Sequence, residues 1–502
     1  MKGLFYRPEA GFVGDVIPWF EDGVYYLYFL YAHRNPDRFG EGTSWYLVTT
    51  EDFVDYREYG EVLRHGTKEE QDLNAYTGSV YKENGVYYLY YTGYNAYPPY
   101  RVQEEPLQAV MLAKSSDLFH WEKLPAKTFY ASEAQYELSD WRDPYVFRNE
   151  ERKEYWMLLA ARLRQGPKRR RGCVGLCRSA DLENWTAAEP LFAPGLYMTH
   201  ECPELFQMGK WWYLVYSSFS ERFATHYRMA ESPEGPFLVP QEDTFDGRGF
   251  YAGKTASDGK RRFLFGWIPT RKNKNDYGEY EWAGNLIVHE LIQQADGTLA
   301  AVLPQTVKDA FTQELSLCPG RTLGNCTMRE TKKADTGILT EADAASSFAA
   351  AVYDADLPVQ CMMTARFRFR KGTKALGIML RTDGEFDTGY FIRFEPPMNR
   401  MVFDMWPRKI KKEEEDTWEI KGDSPFFAEL ERKCLLEAEK EYQVEILVED
   451  TACAVYFDGQ TVMSARIYNI KKGRPGFFVS EGQGEFYDVH VKIRGKEKGY
   501  GK

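Results

Sequence analysis

Asp22-Gly23-Val24-Tyr25-Tyr26-Leu27-Tyr28-Phe29 joins a tight turn to a short aromatic strand, and the chain returns to this pattern four more times. Asn84-Gly85 precedes Val86-Tyr87-Tyr88-Leu89-Tyr90-Tyr91, and Gly209-Lys210 precedes Trp211-Trp212-Tyr213-Leu214-Val215-Tyr216. Asp258-Gly259 precedes Arg261-Arg262-Phe263-Leu264-Phe265-Gly266, and Glu154-Tyr155-Trp156-Met157-Leu158-Leu159 is the remaining member. Asp-Gly and Asn-Gly between apolar runs mark hairpins, because both turn residues take positive φ. Several units add a third strand and a return segment of one design: Asp52-Phe53-Val54-Asp55-Tyr56, Asp117-Leu118-Phe119-His120-Trp121 and Asp181-Leu182-Glu183-Asn184-Trp185. An acid, an apolar residue, two spacers and an aromatic make a turn that pins its ring onto the sheet. Repeats of roughly 50 to 70 residues with about four strands each predict a five-bladed β-propeller, here over residues 1–305.

The texture changes beyond that. Residues 306–345 read as a linker, polar and rich in Gly and Thr, with a short helix admitted from 307 to 317. Strands are expected at 361–370, 376–381, 388–395, 401–406, 442–448, 452–457, 475–479 and 487–493. Ala365-Arg366-Phe367-Arg368-Phe369-Arg370 alternates cleanly, with Phe inward and Arg outward. The second domain, 346–497, is therefore expected to be a β-sandwich, making the chain all-β. Residues 408–441 interrupt it with a charged loop and an expected helix at 425–440. An exposed sheet of the sandwich offers the contact for a homodimer.

At 502 residues the chain exceeds what one hydrophobic core serves. A net charge of -11 argues against nucleic acid as partner. The basic run Lys168-Arg169-Arg170-Arg171 reads as a solvated loop tip. The first residues lack the apolar core of a signal peptide, and no stretch reaches the roughly 18 apolar residues of a membrane helix. Eight scattered cysteines read as reduced thiols, so a cytoplasmic location is expected, away from membranes. The histidines show no metal-ligand spacing, and neither metal nor cofactor is expected.

Three acids stand out. Asp143 lies in Asp140-Trp141-Arg142-Asp143-Pro144, Glu201 in His200-Glu201-Cys202-Pro203, and Asp15 in Gly14-Asp15-Val16-Ile17-Pro18. Each falls where the first strand of a blade begins, and Asp15 and Glu201 each precede a turn glycine, Gly23 or Gly209, by eight residues. The matching places in the other two blades are Thr77-Gly78-Ser79 and Phe250-Tyr251-Ala252. Three carboxylates at equivalent positions around one channel repel one another unless a cation or a reaction uses them. Calcium ordinarily takes further Asp and Asn ligands close by, and these are missing. Glycoside hydrolysis fits the inventory: one carboxylate as nucleophile or base, one carboxyl with raised pKa as acid/base, and a third to favour an oxocarbenium-like transition state. The residues leave three readings open: a retaining glycosidase, an inverting furanosidase or xylosidase on another five-bladed scaffold, and a carbohydrate-binding propeller without turnover.

At these residues the chain resembles glycoside hydrolase family 32, the β-fructofuranosidase, invertase, inulinase and levanase family. Arg142-Asp143-Pro144 and Glu201-Cys202-Pro203 match two of its motifs. Tyr76-Thr77-Gly78-Ser79, Phe250-Tyr251-Ala252-Gly253-Lys254-Thr255 and Glu281-Trp282-Ala283-Gly284-Asn285-Leu286 are similar to its second and fifth blades. The resemblance implies a propeller followed by a sandwich and a small saccharide as substrate. It implies Asp15 as nucleophile, Asp143 as transition-state stabiliser and Glu201 as acid/base. Sugar contacts would come from Arg142, Trp19, Trp45, Tyr76, Tyr251 and Trp282. The first motif departs from the family's Trp-x-Asn-Asp-Pro-Asn-Gly: Asp15 stays, but the flanking asparagines and proline do not, so contacts to the sugar ring are expected to differ there.

Overall fold

The structure, a computed structural model, describes residues 3–102, 104–330, 338–406 and 430–495. It divides into two compact units. The first holds residues up to 245, 250–269 and 282–299, and the second holds 246–249, 270–281 and the chain from 300 onward.

The first unit is the five-bladed propeller. Its inner strands are Phe12–Glu21, Asn74–Glu83, Tyr136–Asn149, Glu201–Met208 and Tyr251–Ser257. Each pairs antiparallel with one of the aromatic strands, Val24–Ala32, Val86–Asn95, Glu154–Leu163, Trp211–Ser218 and Arg262–Arg271. Blade 4 has three strands, and its outer edge is held by isolated bridges Met229↔Leu238 and His226↔Thr244. A pairing of Val13 with Gly284 joins blade 1 to blade 5.

The aromatic strands carry the packing. Leu27, Tyr28, Leu89, Tyr90, Leu158 and Leu214 are all 1% exposed or less, and apolar clusters fill the spaces between neighbouring blades. The return turns act across these spaces. The Asp117 and Asp181 carboxylates accept two backbone N–H groups each, at 2.8–2.9 Å, which holds Leu118 and Leu182 at positive φ. The carbonyls thus turned outward accept hydroxyls from the preceding blade: Tyr28 to Leu118 at 2.7 Å and Tyr90 to Leu182 at 2.5 Å. The turn aromatics Trp121 and Trp185 then pack edge-on against those same tyrosines. The rings pinned by these turns therefore clasp one blade to the next, beyond simply covering their own sheet.

Every inner strand is interrupted at the same level. The registers shift between Val13 and Val16, Tyr76 and Gly78, Arg142 and Tyr145, Glu201 and Glu204, and Tyr251 and Lys254. Each shift inserts one extra residue, a β-bulge, which re-aims side chains locally. In blade 2 the bulge demands glycine, since a Cβ on Gly78 would lie 1.8 Å from the Tyr90 carbonyl oxygen.

The second unit is a β-sandwich whose longest strand, Arg474–Arg494, runs through both layers. Its first half pairs with Ala375–Thr382 and its second with Gln360–Phe369, where the sequence expects two separate strands. Arg366, Arg368 and Arg370 face outward onto Glu441, Glu485 and Glu439, while Phe367 and Phe369 are buried. Three expectations change. The helix admitted from 307 is one short turn, Gln305–Asp309, followed by a strand, Phe311–Glu314. Much of the expected linker is sheet: Pro319–Leu323 and Cys326–Glu330 pair with Ile338–Tyr353. Edge strands with one solvated face tolerate the polar, Thr-rich composition that reads as a linker. Of the expected helix at 425–440, residues up to 429 lie outside the described residues, as does most of the charged loop. Leu430–Lys433 is a strand paired with Arg400–Trp406.

Candidate active site

Regular pairing resumes after the five bulges at Val16, Gly78, Tyr145, Glu204 and Lys254. Counting back from there, Asp15 is one residue away, Asp143 two and Glu201 three. The three acids thus do not occupy equivalent positions, as counting to the turn glycines suggests. They are staggered by one residue each. The bulges allow this: Asp143, Cys202 and Ala252 sit at φ 57°, 50° and 54°, a backbone state that swings successive side chains to new directions. The counterparts of Glu201 are Arg142 and Tyr251, and these three touch. Glu201 accepts from the Arg142 guanidinium at 3.1 Å through Oε1 and from the Tyr251 hydroxyl at 2.5 Å through Oε2.

Asp15 has different company. Its Oδ2 accepts from the Thr77 hydroxyl at 2.5 Å and its Oδ1 from the Trp267 indole N–H at 3.1 Å. The Cys202 thiol lies 3.8 Å from Oδ2. Asp143, 4% exposed, connects the two. Its Oδ2 accepts from the Cys202 backbone N–H at 2.9 Å, and its own N–H donates to the Thr92 hydroxyl at 2.8 Å. Thr92 in turn donates to the Thr77 carbonyl at 2.9 Å, so Asp143 rests on the residue that holds Asp15.

The electrostatics separate the acids. Burial pushes the Glu201 carboxyl up to about 7; Arg142 and the Tyr251 hydroxyl oppose the shift, while Asp143 and Asp15 add to it. Burial also raises Asp15 above the usual carboxylate range, assisted by Asp143 and opposed by the Thr77 and Trp267 donors and by Lys254. Burial works against the charge of Arg142, but Asp140, Glu201 and Asp143 outweigh it and hold the guanidinium fully charged. Asp140 fixes it at 2.5 Å and Thr199 accepts from it at 3.0 Å. Lys254 is 1% exposed, with no hydrogen-bond partner on its amine, which lies 5.4 Å from the Tyr145 ring centroid.

The other expected sugar contacts divide. Arg142 and Tyr251 are bonded to Glu201 as described. Tyr76 packs on Tyr94 next to Thr77, with burial pushing its hydroxyl up to about 12. Trp282 is 44% exposed and packs edge-on against Trp267, the donor to Asp15. Its ring occupies the space beside Gly14, where a Cβ would come within 2.7 Å of it. The departure from the family's first motif thus has a physical counterpart, since Trp282 fills the place of a side chain at position 14. Trp19 and Trp45 are not brought to the acids. Trp19 lies four residues down the strand, bonded to Glu21 and packed edge-on against Tyr87. Trp45 is buried, its indole N–H shared at 3.1 Å between the Ala75 and Tyr76 carbonyls, so it braces the strand that carries Thr77.

Sequence reasoning missed Trp267 and the part played by Lys254. Trp267 sits on a second strand, where nothing in the pattern marks it. Lys254 was visible only as a charged residue inside an otherwise apolar strand start.

A model of the glycosyl hydrolases family 32 N-terminal domain matches residues 6–301. Sucrose-6-phosphate hydrolase of Escherichia coli is 27% identical over 338 residues, 63% of this chain and 67% of the relative. Levanbiose-producing levanase of Bacillus subtilis is 24% identical over 320 residues, 57% of each chain. Among solved structures, sucrose-6-phosphate hydrolase from Lactobacillus gasseri superposes with a TM-score of 0.70 at 16% identity, covering 97% of this chain and 91% of its own. Fructan 1-exohydrolase IIa from Cichorium intybus gives 0.70 at 15% identity and 99% of both chains. These structures share the fold of the whole chain, and the family model spans more than half of it. The chain belongs to glycosyl hydrolase family 32.

Proposed function

We propose that this glycosidase is a retaining β-fructofuranosidase acting on sucrose, a fructo-oligosaccharide or a related small saccharide. Asp15 is the nucleophile, Glu201 the acid/base and Asp143 the stabiliser of the transition state. The observation that carries this reading is a pair of buried carboxyls in one channel with different partners. Glu201, at about 7, is half protonated near neutrality and can give a proton. Burial raises Asp15 as well, but the Thr77 and Trp267 donors and the nearby buried amine of Lys254 oppose that rise and so favour its anion.

In the first step the Asp15 carboxylate bonds to the anomeric carbon of the fructosyl ring. The bond from that carbon to the leaving oxygen breaks, and that oxygen takes the Glu201 proton. In the second, water attacks the same carbon, Glu201 recovers a proton from it, and the ester to Asp15 opens. Asp143, held by the Cys202 N–H, stands ready to favour the positive charge that develops on the ring. The catalytic domain on this reading is the propeller, residues 1–305, and the sandwich takes in the strands from Phe311–Glu314 to Arg474–Arg494. The free thiols support a cytoplasmic location, and exposed Phe348 supports a homodimer through the sandwich.

Purified protein should hydrolyse at least one of sucrose, 1-kestose, inulin and levan, and in the presence of methanol should yield methyl β-fructofuranoside. The α-product would replace the retaining mechanism with an inverting one. Tight sugar binding with no turnover would make the chain a carbohydrate-binding propeller instead.

A further inference from the structure

Arg34 stands two residues beyond Ala32, which pairs with Phe12 at the start of the inner strand of blade 1. It therefore lies at the end of the blade from which Asp15 enters the channel. Its backbone takes φ 58°, a state uncommon for residues other than glycine. The next residue supports that bend. The Asn35 N–H donates to His33 Nδ1 at 3.0 Å, and the Asn35 side chain accepts from the Arg38 N–H at 3.1 Å, capping the short turn Pro36–Phe39.

The Arg34 guanidinium crosses to blade 5. Its Nη2 donates to the Trp282 carbonyl at 2.5 Å and to the Ala283 carbonyl at 3.1 Å. The guanidinium carbon lies 4.1 Å from the centroid of the Phe12 ring, a cation–π contact three residues before Asp15. In a regular strand successive carbonyls point in opposite directions, so one nitrogen does not reach both. Ala283 breaks that rule at φ 69°, which turns the two carbonyls together towards Arg34.

The ring carried by this backbone is the one beside the nucleophile's donor. Trp282 is 44% exposed and lies over Gly14, which offers no side chain to brace it. Its ring meets that of Trp267 edge-on at 6.4 Å, and Trp267 donates to Asp15 at 3.1 Å. A ring nearly half exposed and resting on a glycine is fixed chiefly through its own backbone, and Arg34 holds that backbone at two consecutive carbonyls.

We propose that Arg34 is a positioning residue, which holds Trp282 as a wall of the sugar pocket and sets affinity for the fructosyl ring without touching it. This rests on the fructofuranosidase reading above, with Trp282 meeting the sugar as the resemblance implies. A wall of this kind acts on the bound sugar before and during reaction alike, so its loss raises KM and leaves kcat nearly unchanged. Lysine is no substitute, since an ammonium has neither the planar fork nor the face that lies on Phe12.

The test measures kcat and KM on whichever of sucrose, 1-kestose, inulin and levan is hydrolysed fastest, and fructose binding by calorimetry. It compares the wild type with Arg34→Ala, Arg34→Lys, Trp282→Ala and the double variant Arg34→Ala/Trp282→Ala. Arg34→Ala should raise KM and weaken fructose binding by about five- to ten-fold, the scale of one or two hydrogen bonds, with kcat within about two-fold. Arg34→Lys should recover little of this, and it carries the same comparison should the alanine variant not fold. Once Trp282 is alanine, removing Arg34 should cost less than about two-fold more, because the two act through one ring. Losses that simply multiply, a fall in kcat with KM unchanged, or wild-type behaviour of Arg34→Ala each overturn the proposal and leave the fructofuranosidase reading standing. Fructose bound in the expected order of variants, with no turnover of any substrate, overturns that reading and keeps the role of Arg34. Neither binding nor turnover in the wild type overturns both.

Discussion

Asp15 and Glu201 share one channel, and both are raised by burial, yet their surroundings differ in kind. Asp15 meets Thr77, Trp267 and the Cys202 thiol, all donors from blades 2, 5 and 4, with Lys254 as its nearby cation. Glu201 meets a full positive charge on Arg142 and a tyrosine hydroxyl whose own pKa is driven up by burial and by Glu201 itself. The first set fixes an anion in one orientation. The second leaves a carboxyl poised near neutrality. The difference teaches that burial alone does not assign roles to paired carboxyls; the donors that accompany burial do.

The most drastic way to test that contrast is to remove each acid in turn. Asp15→Asn should cost roughly 10⁴-fold or more in kcat on every substrate, because no bond to the sugar can form. Glu201→Ala should cost about 10²- to 10⁴-fold on sucrose but far less on fructosyl fluoride, whose leaving group needs no proton. Equal losses on both substrates would erase the distinction.

Milder changes should move one limb of the pH profile without the other. In the wild type, kcat/KM should fall above pH about 7 as Glu201 loses its proton, and fall on the acid side as Asp15 gains one. Tyr251→Phe removes a donor that lowers Glu201, so the alkaline limb should shift upward, with kcat down about ten-fold for the lost hydrogen bond. Lys254→Met removes a cation that lowers Asp15, so the acid limb should shift upward while the alkaline limb stays in place. Movement of the alkaline limb instead would assign Lys254 to the wrong acid. The smallest effect is a control: Tyr90→Phe deletes the clasp to Leu182 and should lower stability by about 1 to 2 kcal/mol in urea titration, with both limbs unmoved.

The propeller was legible because its signals are local. Asp22-Gly23 and Asn84-Gly85 close hairpins that need nothing beyond their own neighbours, and the Asp117 and Asp181 turns repeat by composition alone. The acids were legible as residues but not in their geometry. Counting from Gly23 and Gly209 makes Asp15 and Glu201 equivalent, whereas the ladder shows them two positions apart. That offset arises from bulges, which depend on the partner strand and leave no mark in a single strand's pattern. Trp19 and Trp45 illustrate a second limit: an aromatic in a strand reads the same whether it faces a sugar or braces a neighbour. Thr461–Arg466, absent from the expected strands, is a third, because this last strand of its sheet is buried along its whole length and shows no alternation of exposure to find.

The pairing of Val13 with Gly284 has a consequence for how the enzyme fails. Asp15 stands two residues from this junction, and its indole donor Trp267 and the covering Trp282 come from the last blade. The pocket around Asp15 therefore exists only while the first and last blades are latched. The seam is also where the ring is tied by the most distant partners in the sequence, so it is the natural place for a reversible partial opening. Activity should then vanish at a lower urea concentration than the signal of the blades themselves, and substrate analogues that span the seam should protect the latch before they stabilise anything else.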